Sequence, residues 1–135
     1  MITHTFELAN GDWKFVFLRT STDEVIVRVA QKGKYCSGLV SDVFTERGGT
    51  ITKRDPTDYS ILEFVDREGL TVGSIGGGRM IVSETDRTIT CEGPSTTYHA
   101  PPAELLEEWL MDVINKDPHH RPWKLDVSRM GYGRK

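Results

Sequence analysis

An α+β fold is what this sequence predicts: an antiparallel β-sheet of about six to eight strands, curved or partly closed, with one C-terminal helix and a short terminal strand or tail. Three observations point there. Short runs of β-branched and aromatic residues, separated by Gly, Asn, Asp and Ser, fill the first two thirds of the chain. One later stretch carries apolar residues at helical spacing. After that stretch the charge changes sign, and a cationic segment with alternating apolar residues closes the sequence.

Length and composition bound the class. A chain of 135 residues predicts one domain, long enough to bury a single core. Hydrophobic residues at 37% and charged residues at 27% are those of an ordinary globular protein. No apolar run approaches the roughly 18 residues that cross a bilayer, so no membrane partner is expected. The opening "MITHTFELANGDW" lacks the basic start, apolar stretch and cleavage site of an export signal. Cys36 and Cys91 lie in no metal-ligand pattern, and reduced thiols in the cytoplasm are the simplest reading. The net charge of −3 argues against generic coating of nucleic acid by the body of the protein.

The elements follow in order. "ITHTFELA" sets Ile2, His4, Phe6 and Leu8 against Thr3, Thr5 and Glu7, the period of a half-buried strand. "NGD" reads as a turn, and "WKFVFLR" and "VIVRVAQ" as the next strands of an antiparallel meander. Residues 31–60 carry a weaker pattern, read as a hairpin turning at Gly48-Gly49, with Asp55-Pro56 marking a loop. "SILEFVD", "LTVGSI", "RMIVSET" and "ITCEG" then read as consecutive strands, with "GGG" as one of the turns.

The helix is expected at about 102–115. Pro101 and Pro102 suit its first turn, and Glu104, Glu107 and Glu108 suit its positive end. Leu106, Trp109, Leu110, Val113 and Ile114 form the buried stripe, and Asp117-Pro118 ends it. Residues 1–118 thus make a β-rich body with a C-terminal helix. Residues 119–135 form a basic, aromatic-containing segment, belonging to the same domain or to an oligomer interface.

That last segment carries the functional lead. Arg121, Lys124, Arg129, Arg134 and Lys135 face a single acid, Asp126, whereas the first 118 residues hold twelve Lys/Arg against nineteen Asp/Glu. Arg guanidinium groups bind phosphate bidentately, and Trp or Tyr rings stack on bases. Arg121, Trp123, Lys124, Arg129, Tyr132 and Arg134 therefore have the residue types of a nucleotide-binding surface, with Arg79 of "IGGGR" as a contributor. The plain alternative is a cationic end that rests on the protein's own acidic face or keeps an edge strand soluble. "RPWKLDVSRM" alternates Trp123, Leu125 and Val127, the chemistry of one more strand, added at a sheet edge or exchanged with a second copy in a homo-oligomer.

Other motifs give less. "IGGGR" lacks the Lys-Ser/Thr pair and following helix of a Walker loop, so a hairpin turn is its plain reading. His119 and His120 are adjacent and point apart in an extended chain, and no HxH, HExxH or CxxC spacing accompanies them. His4 is read as a partly buried histidine of the first strand, and Cys91 as a small core residue. No cofactor or metal is implied. No GxSxG, GxGxxG or kinase-type loop is present, which favours a protein that is not an enzyme.

From "LTVGSIGGGRMIVS" to "PPAELLEEWLMDVINKDPHHRPWKLDV", about the last 65 residues, the chain resembles one family of polymorphic-toxin immunity proteins. There a small sheet leads into a proline-opened helix and then an Arg-Pro, aromatic strand, matched here by Arg121-Pro122-Trp123. The resemblance implies an inhibitor of a protein effector and carries over no functional residue. The residues themselves favour a small binding protein that sequesters an anionic, nucleotide-like molecule, of the kind phages raise against host nucleotide signalling. A small enzyme acting on a phosphorylated substrate is the third reading.

Overall fold

The computed structural model describes residues 2–31, 33–95 and 98–132. The α+β class is as expected, with eight strands and two helices in the order β1 (Ile2–Thr3), β2 (Gly11–Thr20), β3 (Val25–Gln31), α1 (Cys36–Arg47), β4 (Thr50–Arg54), β5 (Ile61–Val65), β6 (Thr71–Ser83), β7 (Thr88–Glu92), α2 (Ala103–Asn115) and β8 (Lys124–Arg129). The strands form one open sheet. Its main path runs β1-β3-β2-β6-β5-β4, and β7 and β8 continue from the far half of β6. It is mixed rather than purely antiparallel, because β1 pairs with β3 and β8 with β7 in parallel.

Strand β2 explains the layering. Its residues alternate between two buried faces, so both sides of the sheet need a cover. Phe15 and Phe17 meet Leu106, Trp109, Leu110 and Val113 of α2, the helical stripe expected from spacing. Val16 and Leu18 meet Leu39, Val40 and Val43 of α1. Each such fully buried side chain stabilises by roughly 1.5–3 kcal/mol. A β-bulge between Phe17 and Leu18 leaves Ile75 unmatched on β6, since Phe17 opposes Gly76 and Leu18 opposes Ser74. The extra residue inverts the strand's facing. Val72 therefore joins the α1 side while Met80 and Val82 join the α2 side, although all three are even-numbered.

Four expectations need correction. In the region 31–60, the first arm of the expected hairpin is instead the helix α1, which ends at Gly48-Gly49, and only the second arm is a strand, β4. Cys36, Leu39, Val40 and Val43 keep a helical stripe, but Ser, Thr, Val and Gly weaken the local helix signal, and burial against the sheet overrides it. Gly49 lies at φ +112°, and a Cβ there would fall 1.8 Å from the Val65 carbonyl oxygen. Second, the opening segment pairs as a strand only at Ile2–Thr3. Its alternation is real, because His4, Phe6 and Leu8 turn inward, but they pack on the α2-side core, with Phe6 at 5.2 Å from Trp13 and 6.0 Å from Trp109. Third, "GGG" is no turn, since Gly76, Gly77 and Gly78 lie within the continuous strand β6. Finally, the described residues form two helices, one on each face, where one was expected.

The glycines of β6 serve close approach. Between its β5-paired start and its β7-paired end, β6 receives the segment leading to α2: Gly77 N–H donates to the His99 carbonyl at 2.8 Å, and Ser95 N–H to the Gly77 carbonyl at 3.1 Å. A Cβ on Gly76 would sit 2.2 Å from Pro101 N. The strand expected after the helix exists as β8, on the edge of its own chain's sheet beside β7. Cys36 and Cys91 are buried free thiols. No helix among the described residues is long and apolar enough to cross a membrane.

Candidate functional site

Strand register assembles a row of charges. Lys14 of β2 stands opposite Arg79 of β6, Arg79 opposite Glu92 of β7, and Glu92 opposite Arg129 of β8. Directly paired residues share a face of the sheet. Lys14 alternates in phase with Val16 and Leu18, so the row lies on the α1 side. Asp12, two residues before Lys14, joins it there.

Hydrogen bonds order the row. Arg79 donates from Nε and Nη2 to the two carboxylate oxygens of Asp12, at 2.8 and 2.5 Å, and from Nη1 to Glu92 Oε1 at 2.9 Å. The Asp12 carboxylate, followed by Glu92, raises the Arg79 pKa against the effect of desolvation. Arg129 reaches Glu92 Oε2 at 3.3 Å and is otherwise 68% exposed. Lys14 has no carboxylate within ion-pair distance among the described residues.

A cleft of about 780 Å³ opens over this row. Lys14, Arg79, Glu92 and Arg129 line it, together with Tyr35 and Asp58. The start of α1 forms one wall. Its N-cap, Tyr35, makes no side-chain cap bond, and no acid occupies the first turn. The positive end of the helix dipole therefore lies on the side of the cleft that Tyr35, Cys36 and Ser37 line. The Tyr35 side chain is 79% exposed. Cys36 donates its thiol to the Phe15 carbonyl at 3.5 Å, and burial pushes its pKa up despite Ser95 and Lys14 nearby. Such a thiol serves packing rather than nucleophilic attack.

The sequence-predicted residues divide into two groups. Arg79 and Arg129 meet through Glu92, and Lys124 is exposed on the same face of β8 as Arg129, opposite Thr88. Arg121 and Trp123 converge elsewhere, on Asp117 just past α2. Asp117 accepts Arg121 Nε at 3.1 Å, Trp123 Nε1 at 3.0 Å and the backbone N–H groups of His119 and Arg121. Its side chain is 1% exposed, and Arg121, then Trp123, holds its carboxyl well below the usual carboxylate range. Arg121 also lies 5.6 Å from the centre of the Trp123 ring. Tyr132 donates its hydroxyl to the Pro101 carbonyl and packs on the α2-side core; burial pushes its pKa up to about 12. Arg134 lies outside the described residues.

Sequence reasoning missed Lys14, Glu92 and Tyr35. A signal for Lys14 was present: it interrupts "WKFVFLR" on the side that Val16 and Leu18 bury. Among the described residues no three His, Cys, Asp or Glu side chains gather as a metal site. His4 instead bonds Asp112 at 2.6 Å, tying the opening segment to α2. No protein-family model matches this chain, and no curated protein sequence matches it either.

Proposed function

We propose that this is a small, non-enzymatic binding protein that sequesters an anionic, nucleotide-like molecule in the cleft above the charged row. One observation carries the reading: Lys14 is a cation with no carboxylate partner among the described residues, in a cleft also bounded by the positive end of α1. A volume of about 780 Å³ suits a nucleotide-sized ligand. Lys14 supplies the anion contact, Arg129 offers further donors, and Tyr35 offers a ring for stacking. Arg79, fixed by Asp12 and Glu92, positions the row. The contacts thus shift from the tail residues Arg121, Trp123 and Tyr132, whose polar groups Asp117 and Pro101 engage, toward the sheet face shared by Arg79, Lys124 and Arg129. Action in the cytoplasm, with both cysteines as thiols, goes with this reading. A second copy would add at the outer edge of β8.

Isothermal titration with a panel of cyclic and linear nucleotides tests the proposal. Binding that Lys14→Ala weakens by about 1.5–3 kcal/mol, and that falls with salt, is the expected result. Absence of binding across the panel overturns it. A second reading, an inhibitor that caps a protein effector, is favoured by Tyr35 and Tyr59, exposed by 79% and 69%. Aromatic side chains of this kind anchor protein interfaces. Stoichiometric co-purification with one protein, lost in a Tyr35→Ala, Tyr59→Ala variant, would decide for it.

A further inference from the structure

We infer that Glu92 determines which anions the cleft accepts, favouring a group with one negative charge, such as a phosphodiester, over a dianionic terminal phosphate. This rests on the reading of the cleft as an anion site. Arg79 is shared between Asp12 and Glu92, and the second oxygen of Glu92 takes Arg129. Two acids thereby offset two arginines. Lys14 alone remains uncompensated, so the row offers one positive charge to a ligand.

A monoanion on Lys14 neutralises that charge. A dianion leaves an excess negative charge over a row whose centre is already acidic. Lys14 and Glu92 belong to strands separated only by β6, so their backbones lie about 10 Å apart, and side chains bring a ligand on Lys14 closer. One extra charge at about 7 Å from a carboxylate, at the effective dielectric of about 20 found near protein surfaces, changes affinity roughly 10-fold or more.

Glu92 is built to stay in place. Its backbone pairs with both neighbouring strands, each carboxylate oxygen has a guanidinium partner, and the side chain is 23% exposed. It thus acts as a resident counter-anion, and the ligand meets its field rather than an empty cationic surface.

The test measures binding of a nucleoside 3′,5′-cyclic monophosphate and the matching 5′-monophosphate to the full chain at pH 8. There the terminal phosphate is dianionic, its second pKa being about 6. The unmodified protein should prefer the cyclic diester roughly 10-fold or more. Glu92→Gln should abolish the preference by tightening the 5′-monophosphate. Glu92→Asp should retain it. Arg129→Gln, at an exposed side chain, should widen it and keeps the test open if Glu92→Gln fails to fold. Equal or tighter binding of the 5′-monophosphate by the unmodified protein, or a ratio that no variant moves, overturns the role of Glu92 while leaving the cleft as an anion site. If neither nucleotide binds any form, the cleft reading falls and this inference with it.

Discussion

Lys14 stands directly opposite Arg79 across the β2–β6 ladder, a cation facing a cation on one side of the sheet. Like charges so placed destabilise a sheet by a few tenths of a kcal/mol up to about 1. Asp12 and Glu92 offset much of the Arg79 charge, so the repulsion that Lys14 meets falls at the low end of that range. Lys14→Met should therefore fold at least as stably as the unmodified protein, by up to about 0.5 kcal/mol in urea titrations, while losing nucleotide binding. A destabilised Lys14→Met protein would show that the lysine serves the fold.

Asp117 should govern acid stability. Its folded pKa is depressed, chiefly by Arg121 and then Trp123, so its contribution is fully present above the unfolded carboxylate pKa of about 3.9. That contribution is lost as pH falls from there through the folded value. Asp117→Asn should lower the melting midpoint at neutral pH and flatten the decline below about pH 4. Melting curves from pH 7 to pH 2 check both, and Trp123 fluorescence reports loss of its partner.

The glycines of β6 and of the turns should differ sharply. Gly76→Ala places a Cβ 2.2 Å from Pro101 N at φ +148°, so strain and overlap together should cost roughly 3 kcal/mol. Gly69 also has positive φ, +85°, but its Cβ would meet nothing within 4 Å. Gly69→Ala should cost only about 1 kcal/mol of backbone strain. Equal losses at the two sites would refute the close-approach explanation for the glycine run.

Trp109 lies at the centre of the α2-side core, within 6.2 Å of the rings of His4, Phe6, Phe15 and Phe17. Its Nε1 is buried with no partner among the described residues. Trp109→Ala should cost about 3–5 kcal/mol. Trp109→Phe should cost less than half of that, because it also removes an unsatisfied donor. Chemical denaturation of the two variants separates packing from polarity.

The helix α2 was legible because fixed steps along its own sequence encode its stripe: Leu106, Trp109, Leu110 and Val113 all reach the core from those positions. The strands beginning at Gly11 and Val25 were legible for the same reason, their period being local. Helix α1 was not. Its stripe at Cys36, Leu39, Val40 and Val43 is helical, but its residues favour strand and turn, and only the α1 face of the sheet makes the helix worthwhile. Arg79 and Arg129 were named from charge and residue type, yet the partner that joins them, Glu92, lies 13 residues from one and 37 from the other.

By itself, then, the sequence determined the α+β class, the position of α2, the inward turn of alternate residues at the start, and the cationic character of the end. Each is a property of neighbours along the chain, set by steric period and local charge. Tertiary structure alone decided that the glycine run lies inside a strand, that Arg121 and Trp123 belong to Asp117, and that Lys14, Arg79, Glu92 and Arg129 form one row. Those outcomes depend on strand register across β2, β6, β7 and β8, and on the bulge at Ile75 that inverts the facing of β6. Register is a long-range choice, made by whichever pairing buries both faces of the sheet at once, and no local spacing encodes it.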